Sequence, residues 1–234
     1  MECINTRWRN RAIVLTTLLA MSAVAGSLTD FSAPLLDAVS KRWGPSAVQR
    51  LFAWQELDRK QKKDTPNLAV LVAAPNGTST ARDVLTNVNV FLNKIPYVLD
   101  PVHWGVPVYW ATPVEFVASN GGKCVDYTTS KYFTLKDVGM PIGKMRMTYV
   151  RALKQNVAHM VLAYYPTPDA DPLILDNLIG EIKPASQRPD LEPVYSFNDD
   201  DLWTVAGGGK PVGGASQIRL WQDLNARIAR QEAM

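Results

Sequence analysis

Cysteine is nearly absent from this 234-residue chain, which contains only Cys3 and Cys124, and histidine is as rare, with His103 and His159. Cys3 lies in a predicted leader that is removed, so no disulfide can form within the mature chain. A single unpaired cysteine in an exported protein therefore indicates a reactive role for its thiol. The alternative is a buried free cysteine, which is a common small apolar residue.

Long apolar runs are also missing, apart from one near the start of the chain. Arg7, Arg9 and Arg11 precede the uncharged apolar run 12–25, which ends in the small residues Ala23-Val24-Ala25. This order is typical of a secretory signal peptide. A run of 14 residues is short for a transmembrane helix, which needs about 20. We therefore predict that residues 1–25 are a cleaved leader and that the protein is exported.

A large excess of charge of either sign is absent. Without residues 1–25 the chain keeps 22 of its 25 basic residues and 21 of its 22 acidic residues, a net charge of +1. This balance gives no electrostatic footprint for nucleic acid, so we predict no nucleic-acid partner. Apolar residues make up 47% of the chain and charged residues 20%, as in a folded domain with a full core.

The hydrophobic periodicity changes from helical to strand-like after Gly139. Before this point Thr80 and Asp83 fit a capping box that opens a helix. The segments predicted as helices are 28–63, 84–92, 113–117, 124–135 and 217–232; those predicted as strands are 145–153, 157–165, 173–176, 193–197 and 202–205. Helices followed by an antiparallel sheet and a final helix indicate an α+β fold, with the N-terminal helices packed on the sheet.

The stretch SNGGKCVDYTTSKY, residues 119–132, sets the lone thiol at the predicted start of a helix. A cysteine attacks as the thiolate, and free N–H groups at a helix N-terminus favour negative charge. Gly121 and Gly122 come just before Cys124. Glycines tolerate positive φ and would let a substrate backbone come close, so we predict that both contribute to substrate binding.

A thiolate is also favoured by a nearby imidazole, for which the chain offers two candidates. His103 lies in a predicted loop, whereas His159 lies inside a predicted strand. Asp176 ends the short apolar run LILD, and a carboxylate in such a place is unusual unless it has a partner. Because a catalytic base is usually oriented by a third group, we favour Cys124, His159 and Asp176 over the alternative with His103.

The motifs around these three residues resemble the bacterial transglutaminase-like cysteine proteinases, in particular periplasmic proteases of the LapG type. They are GGKCVDYTTSKYFTL, then HMVLAY and LILDNL, with similar context at Trp104-Gly105, at YWATP (109–113) with Glu115, and at VYSFND (194–199). The resemblance covers about residues 80–205. It implies a papain-like or transglutaminase-like core with Cys124 as nucleophile at a helix N-terminus, His159 as general base and acid, and Asp176 orienting the imidazole.

The same resemblance implies a setting for the enzyme. It implies a periplasmic location, a substrate in the N-terminal region of a large surface adhesin, cut near two alanines, and an inner-membrane c-di-GMP receptor of the LapD type as partner. Trp110 joins Gly121 and Gly122 as a predicted substrate-binding residue. The chain then divides into a signal peptide (1–25), an N-terminal helical segment (26–66), a transglutaminase-like catalytic domain (67–205) and a glycine-rich linker with a C-terminal helix (206–234).

One departure from the family pattern concerns calcium. The family usually reads Gly-Asp-Cys-Glu-Asp around its nucleophile, and those acidic neighbours belong to a calcium site. Here Lys123 and Val125 flank Cys124, and only Asp126 remains. Calcium prefers six to eight oxygen ligands. We therefore expect calcium binding at Asp126 to be lost or very weak, and Lys123 to supply a fixed positive charge instead.

The amino-acid sequence is compatible with three functions. The first is a cysteine endopeptidase that acts on an exported protein. The second uses the same acyl-enzyme chemistry as an amidase or transglutaminase on cell-wall peptides or glutamine side chains. The third is a non-catalytic periplasmic binding module built on the same scaffold, which the missing acidic pair makes a real alternative.

Overall fold

The computed structural model describes residues 27–74, 76–207 and 209–232. The predicted signal peptide lies outside this part of the chain, so its assignment stays a prediction. Among the described residues, no helix has both the length and the apolar content to cross a membrane.

Eight α-helices occur in the described chain. They are α1 (Ala33–Trp43), α2 (Pro45–Asp64), α3 (Leu68–Leu71), α4 (Gly77–Leu92), α5 (Asp100–His103), α6 (Pro113–Ser119), α7 (Cys124–Asp137) and α8 (Arg219–Glu232). The first two occupy the segment predicted as one helix. Gly44 separates them with φ +80°, a value that residues with a side chain rarely adopt, and Pro45 then starts α2.

The helix caps differ from the predicted ones. Helix α4 begins at Gly77, so Thr80 and Asp83 lie inside it and the capping box predicted there is wrong. A capping box is found instead at α6. The Thr112 hydroxyl accepts from the Glu115 N–H at 3.1 Å, and the Glu115 carboxylate accepts from the Thr112 N–H at 2.8 Å. This box fixes the start of the helix that leads to the cysteine segment.

Seven strands form one antiparallel sheet. They are β1 (Met145–Ala152), β2 (Val157–Tyr164), β3 (Leu173–Leu175), β4 (Lys183–Pro184), β5 (Leu191–Phe197), β6 (Leu202–Thr204) and β7 (Pro211–Gly213), in the order β4-β3-β2-β1-β5-β6-β7. The predicted hairpin is β1 and β2, which pair from Met145↔Tyr164 to Ala152↔Val157. The glycine-rich segment was predicted as a linker, but its residues 211–213 extend the sheet as β7.

The sheet has an inner face that packs on the helices and an outer face with a smaller apolar cluster. Alternation along β1 and β2 directs Met145, Met147 and Leu162 into the main core with α7. The outer cluster consists of Val150, Val161, Ala163 and Ile174. Every residue from Val125 to Leu135 of α7 is buried, so the helix that carries the cysteine is a central element of the fold. The predicted α+β architecture is confirmed.

The C-terminal helix closes one side of the molecule. Trp221, Leu224 and Ile228 of α8 are buried in the main core. From the same helix, Arg227 Nη1 donates to Glu115 Oε2 at 2.7 Å, and Nη2 donates to the Trp110 carbonyl oxygen. Helix α8 therefore holds the segment that leads into α6.

Candidate active site

Strand pairing brings His159 and Asp176 together. Leu162 of β2 pairs with Leu175 of β3 in an antiparallel register. Asp176 directly follows the end of β3 at this pair, and its Oδ1 atom lies 2.7 Å from His159 Nε2. Asp176 therefore reaches the imidazole although it lies 17 positions away along the chain.

The three predicted residues come together in the structure, with a hydrogen bond between His159 and Asp176. His159 Nε2 lies 2.7 Å from Asp176 Oδ1, and the Cys124 side chain is near enough to the imidazole to raise its pKa. His159 and Asp176 are 4% and 1% exposed, whereas Cys124 is half-buried and open to a substrate. The arrangement matches a nucleophile, a base and an orienting carboxylate.

A threonine holds the nucleophile helix against the strand that carries the imidazole. Thr128 Oγ1 lies 2.9 Å from the carbonyl oxygens of both Cys124 and Met160. Met160 follows His159 directly, so this hydroxyl fixes the start of α7 beside the histidine. The Cys124 and Val125 N–H groups belong to the first turn of α7, where backbone donors have no intrahelical acceptor. They are available to stabilise an oxyanion.

The electrostatics of the site favour an imidazolium. Burial lowers the pKa of His159, but hydrogen bonds and charge from Asp176 and Cys124 outweigh it and raise the pKa to about 9. Burial raises the pKa of Asp176, but His159, the Leu178 N–H and Arg188 outweigh it and lower the pKa to about 2. A protonated imidazole beside a cysteine is the state that stabilises a thiolate.

Arg188 is a site residue that the sequence did not reveal. It is 2% exposed, and its Nη2 atom lies 2.7 Å from Asp176 Oδ2 and 2.9 Å from Asp190 Oδ2. Asp176 thus accepts from His159 on one oxygen and from Arg188 on the other. The only local signal is the short spacing Arg188-Pro189-Asp190, which by itself is indistinguishable from a surface turn.

Gly121 and Gly122 lack side chains because the protein itself fills that space. A Cβ on Gly121 would come within 2.6 Å of His103 Cε1, and one on Gly122 within 2.7 Å of Asp126 Oδ2 and of Phe116 Cδ2. Neither glycine has a positive φ, which is found instead at Asn120 with φ 57°. The expectation of positive φ at the glycines is therefore wrong, and their contact with a substrate stays a prediction.

The two remaining aromatic candidates lie beside the triad and not within it. Trp110 is 8% exposed and stacks on Phe197 with ring centroids 6.3 Å apart, so little of it can touch a substrate. Its substrate-binding role stays a prediction. His103 Nε2 lies 2.8 Å from Ser119 Oγ. This hydrogen bond holds the His103 ring on Ser119 and not on Cys124.

The residues around Asp126 do not fit a calcium ion. Asp126 is fully buried, and its two oxygens accept from the Ala111 N–H and the Lys123 N–H, each at 2.8 Å. The Lys123 ammonium is paired with Asp100, and Val125 points into the core. Within residues 27–74, 76–207 and 209–232, no group of three or more His, Cys, Asp or Glu side chains could hold a metal.

The raised pKa of His159 predicts how stability depends on pH. A histidine with a raised folded pKa contributes stability that is complete below its unfolded pKa of about 6.5 and is lost as pH rises through about 9. We expect the wild type to lose about 3 kcal/mol of unfolding free energy relative to His159→Gln between about pH 6 and about pH 10. Urea unfolding at both pH values measures this loss. A constant difference between the two proteins would contradict it.

Comparison with known proteins identifies the family of the chain. The family model "bacterial transglutaminase-like cysteine proteinase BTLCP" matches residues 46–197, while a search of curated proteins found no match. Three solved structures of Legionella pneumophila LapG are similar in fold. One is 37% identical, covers 83% of this chain and 96% of its own, and has a TM-score of 0.65.

The other two structures of that protein are an EGTA-treated form and a calcium-bound form. The EGTA-treated form is 37% identical over 83% of this chain and 96% of its own, with a TM-score of 0.68. The calcium-bound form is 36% identical over 85% and 99%, with a TM-score of 0.66. The resemblance inferred from the cysteine, histidine and aspartate motifs is confirmed. The chain belongs to the bacterial transglutaminase-like cysteine proteinases and is a cysteine peptidase.

Proposed function

We propose that this protein is a periplasmic cysteine endopeptidase that cleaves the N-terminal region of a large surface adhesin. The observation that carries the proposal is the His159–Asp176 hydrogen bond beside Cys124 at the start of α7. Similarity to Legionella pneumophila LapG over more than four fifths of the chain supports the same assignment.

The chemistry follows from the geometry of the three side chains. The Cys124 thiolate attacks the peptide carbonyl carbon, and a carbon–sulfur bond forms as the N–H groups of the first turn stabilise the oxyanion. The His159 imidazolium gives its proton to the leaving amine as the carbon–nitrogen bond breaks. Neutral His159 then takes a proton from water, whose oxygen attacks the thioester and releases the acid and the thiolate. Asp176 keeps the imidazole oriented throughout.

Exposed apolar side chains beside the site support a polypeptide substrate. Segment 97–108 is joined to the cysteine segment by a hydrogen bond from the Val98 N–H to the Gly122 carbonyl oxygen. Its exposed apolar residues are Tyr97, Leu99, Val102, Val106 and Val108, with exposed fractions from 40% to 79%. Several exposed apolar side chains within one short segment are typical of an interaction site.

Location and regulation are part of the proposal. The leader predicted at residues 1–25 supports export, and the family resemblance supports a periplasmic site of action. An inner-membrane c-di-GMP receptor of the LapD type would then sequester the enzyme. The apolar surface of segment 97–108 is available to such a partner as well as to the substrate.

The direct test is cleavage of candidate adhesins. Mature protein is incubated with N-terminal adhesin fragments that carry an alanine pair, and with the same fragments after both alanines are changed to bulky residues. We expect two new fragments from the first set, with N-terminal sequencing placing the cut near the alanines, and intact protein from the second. Cys124→Ala serves as the inactive control.

The alternative functions give different outcomes. Ammonia release or amine incorporation without chain cleavage would replace the endopeptidase by an amidase or transglutaminase. Absence of both, with Cys124 labelled by iodoacetamide only as slowly as a free thiol, would indicate a binding module. Rapid labelling that is lost in His159→Ala supports the enzyme.

A further inference from the structure

The side chain of Lys123 forms an ion pair at the entrance to the nucleophile helix. Its ammonium contacts Asp100 Oδ2, and the two side chains are 19% and 1% exposed. The same Asp100 oxygen accepts from the Tyr109 N–H at 2.8 Å. Lys123 is the N-cap residue of α7 and immediately precedes Cys124 in the chain, so this ion pair is attached to the start of the helix that carries the cysteine.

A second buried carboxylate lies on the other side of the same lysine. Asp126 accepts from the backbone N–H of Lys123 and from the Ala111 N–H. Burial raises the pKa of Asp126 to about 7; Asp100 adds to this rise, while the two backbone hydrogen bonds and the Lys123 charge oppose it. Two buried acidic groups therefore contact Lys123, Asp100 through the ammonium and Asp126 through the backbone N–H, and both also accept from the backbone of residues 109–111.

A calcium ion at this place would have to displace the lysine. One Asp100 oxygen is engaged by Lys123 and Tyr109, and both Asp126 oxygens are engaged by backbone N–H groups. Asp100 Oδ1 is buried and has no hydrogen-bond partner among the described residues. One free oxygen falls far short of the six to eight ligands that calcium prefers.

We propose that the Lys123 ammonium is a built-in cation that takes the place of calcium, joins α5 to the start of α7, and makes the fold and the active site independent of calcium. By contrast, the structure of Legionella pneumophila LapG is known in a calcium-bound form. Lys123 is a positioning residue in this proposal, since it acts on the loop and the helix and not on the substrate.

The first test compares the mature wild-type chain in EGTA and in millimolar calcium chloride. A ligand that binds only the folded state raises the melting temperature, so we expect no shift beyond about 1 °C and no binding heat on calcium titration. A calcium-dependent rise of several degrees, or binding with a micromolar Kd, would overturn the proposal.

The second test removes the cation. Lys123→Met leaves the buried Asp100 carboxylate unpaired, so we expect the melting temperature to fall by about 5–15 °C. Lys123→Arg should restore most of this loss. The matched control is Lys136→Met, because Lys136 lies on the same helix in an exposed ion pair with Asp199, and its expected loss is below about 3 °C. Equal losses for Lys123→Met and Lys136→Met would contradict the proposal.

The third test converts the lysine-filled site into one that can bind calcium. Lys123→Asp places three carboxylates together, and we expect its melting temperature to rise with calcium while that of the wild type does not. Should Lys123→Asp fail to fold, the double variant Lys123→Met with Asp100→Asn replaces it. That variant should be more stable than Lys123→Met alone, since the unpaired charge is gone, and a further loss of stability would refute the ion pair.

These readouts are separate from the proposed function. Melting temperatures and calcium titration need no substrate, so they test the built-in cation even if no adhesin is cleaved. Conversely, cleavage that is abolished by EGTA and restored by calcium would refute calcium independence and leave the peptidase intact.

Discussion

Cys124→Ala is expected to abolish peptide cleavage, and His159→Ala to lower kcat/KM by about 10²- to 10⁴-fold. The first change removes the nucleophile. The second removes the group that donates a proton to the leaving amine and later activates water, a contribution of about 10²–10⁴ in enzymes that use general acid–base catalysis. Cleavage of an adhesin fragment, followed over time, measures both effects, and iodoacetamide labelling of His159→Ala reports the loss of thiolate character.

The other histidine of the chain provides a matched control. His103 contacts Ser119 and packs over Gly121, and it makes no hydrogen bond with His159 or Asp176 among the described residues. His103→Gln keeps a polar side chain there, and its kcat/KM should stay within about tenfold of the wild type, because no proton passes through it. A loss as large as that of His159→Ala would assign the base to His103 and refute the triad.

Arg188→Leu is expected to lower the free energy of unfolding by about 3–5 kcal/mol. The change removes one partner of a buried ion pair and leaves Asp176 and Asp190 without their shared cation. Urea unfolding near neutral pH measures the loss. Arg151→Ala is the matched control, because Arg151 pairs with Glu192 at the surface, where such pairs contribute about 0–1 kcal/mol.

The difference between Arg188→Leu and the wild type should shrink in acid. The lowered pKa of Asp176, about 2, contributes stability that is present above its unfolded pKa of about 3.9 and is lost as pH falls through about 2. Arg188 supplies part of that shift. A difference that stays constant from about pH 6 down to about pH 2 would show that the arginine acts through packing alone.

The proposed triad was assembled from the sequence because each member carries a local signal. Cys124 follows glycines at a helix start, His159 interrupts an apolar strand, and Asp176 ends one. The α+β layout followed from the change in hydrophobic period, which reflects burial on one face of each element. These signals are short-range, so a single sequence is sufficient to find them.

Three features could not be predicted from the sequence, and the reason is the same for each. They are the role of Arg188, the ion pair of Lys123 with Asp100, and strand β7. Each depends on a contact between segments that no local pattern links, as when Asp100 meets Lys123 across 23 residues. β7 was missed because a strand of three residues rich in proline and glycine is defined by its partner and not by its own propensity. The break at Gly44 was missed because apolar periodicity continues across it.

The contacts of Arg227 have a consequence for shortened variants of the chain. Arg227 reaches Glu115 across 112 positions of sequence and also donates to the Trp110 carbonyl oxygen. Removal of α8 would take away this guanidinium together with the buried Trp221, Leu224 and Ile228, so residues 110–115 would lose a fastening that lies far from them along the chain.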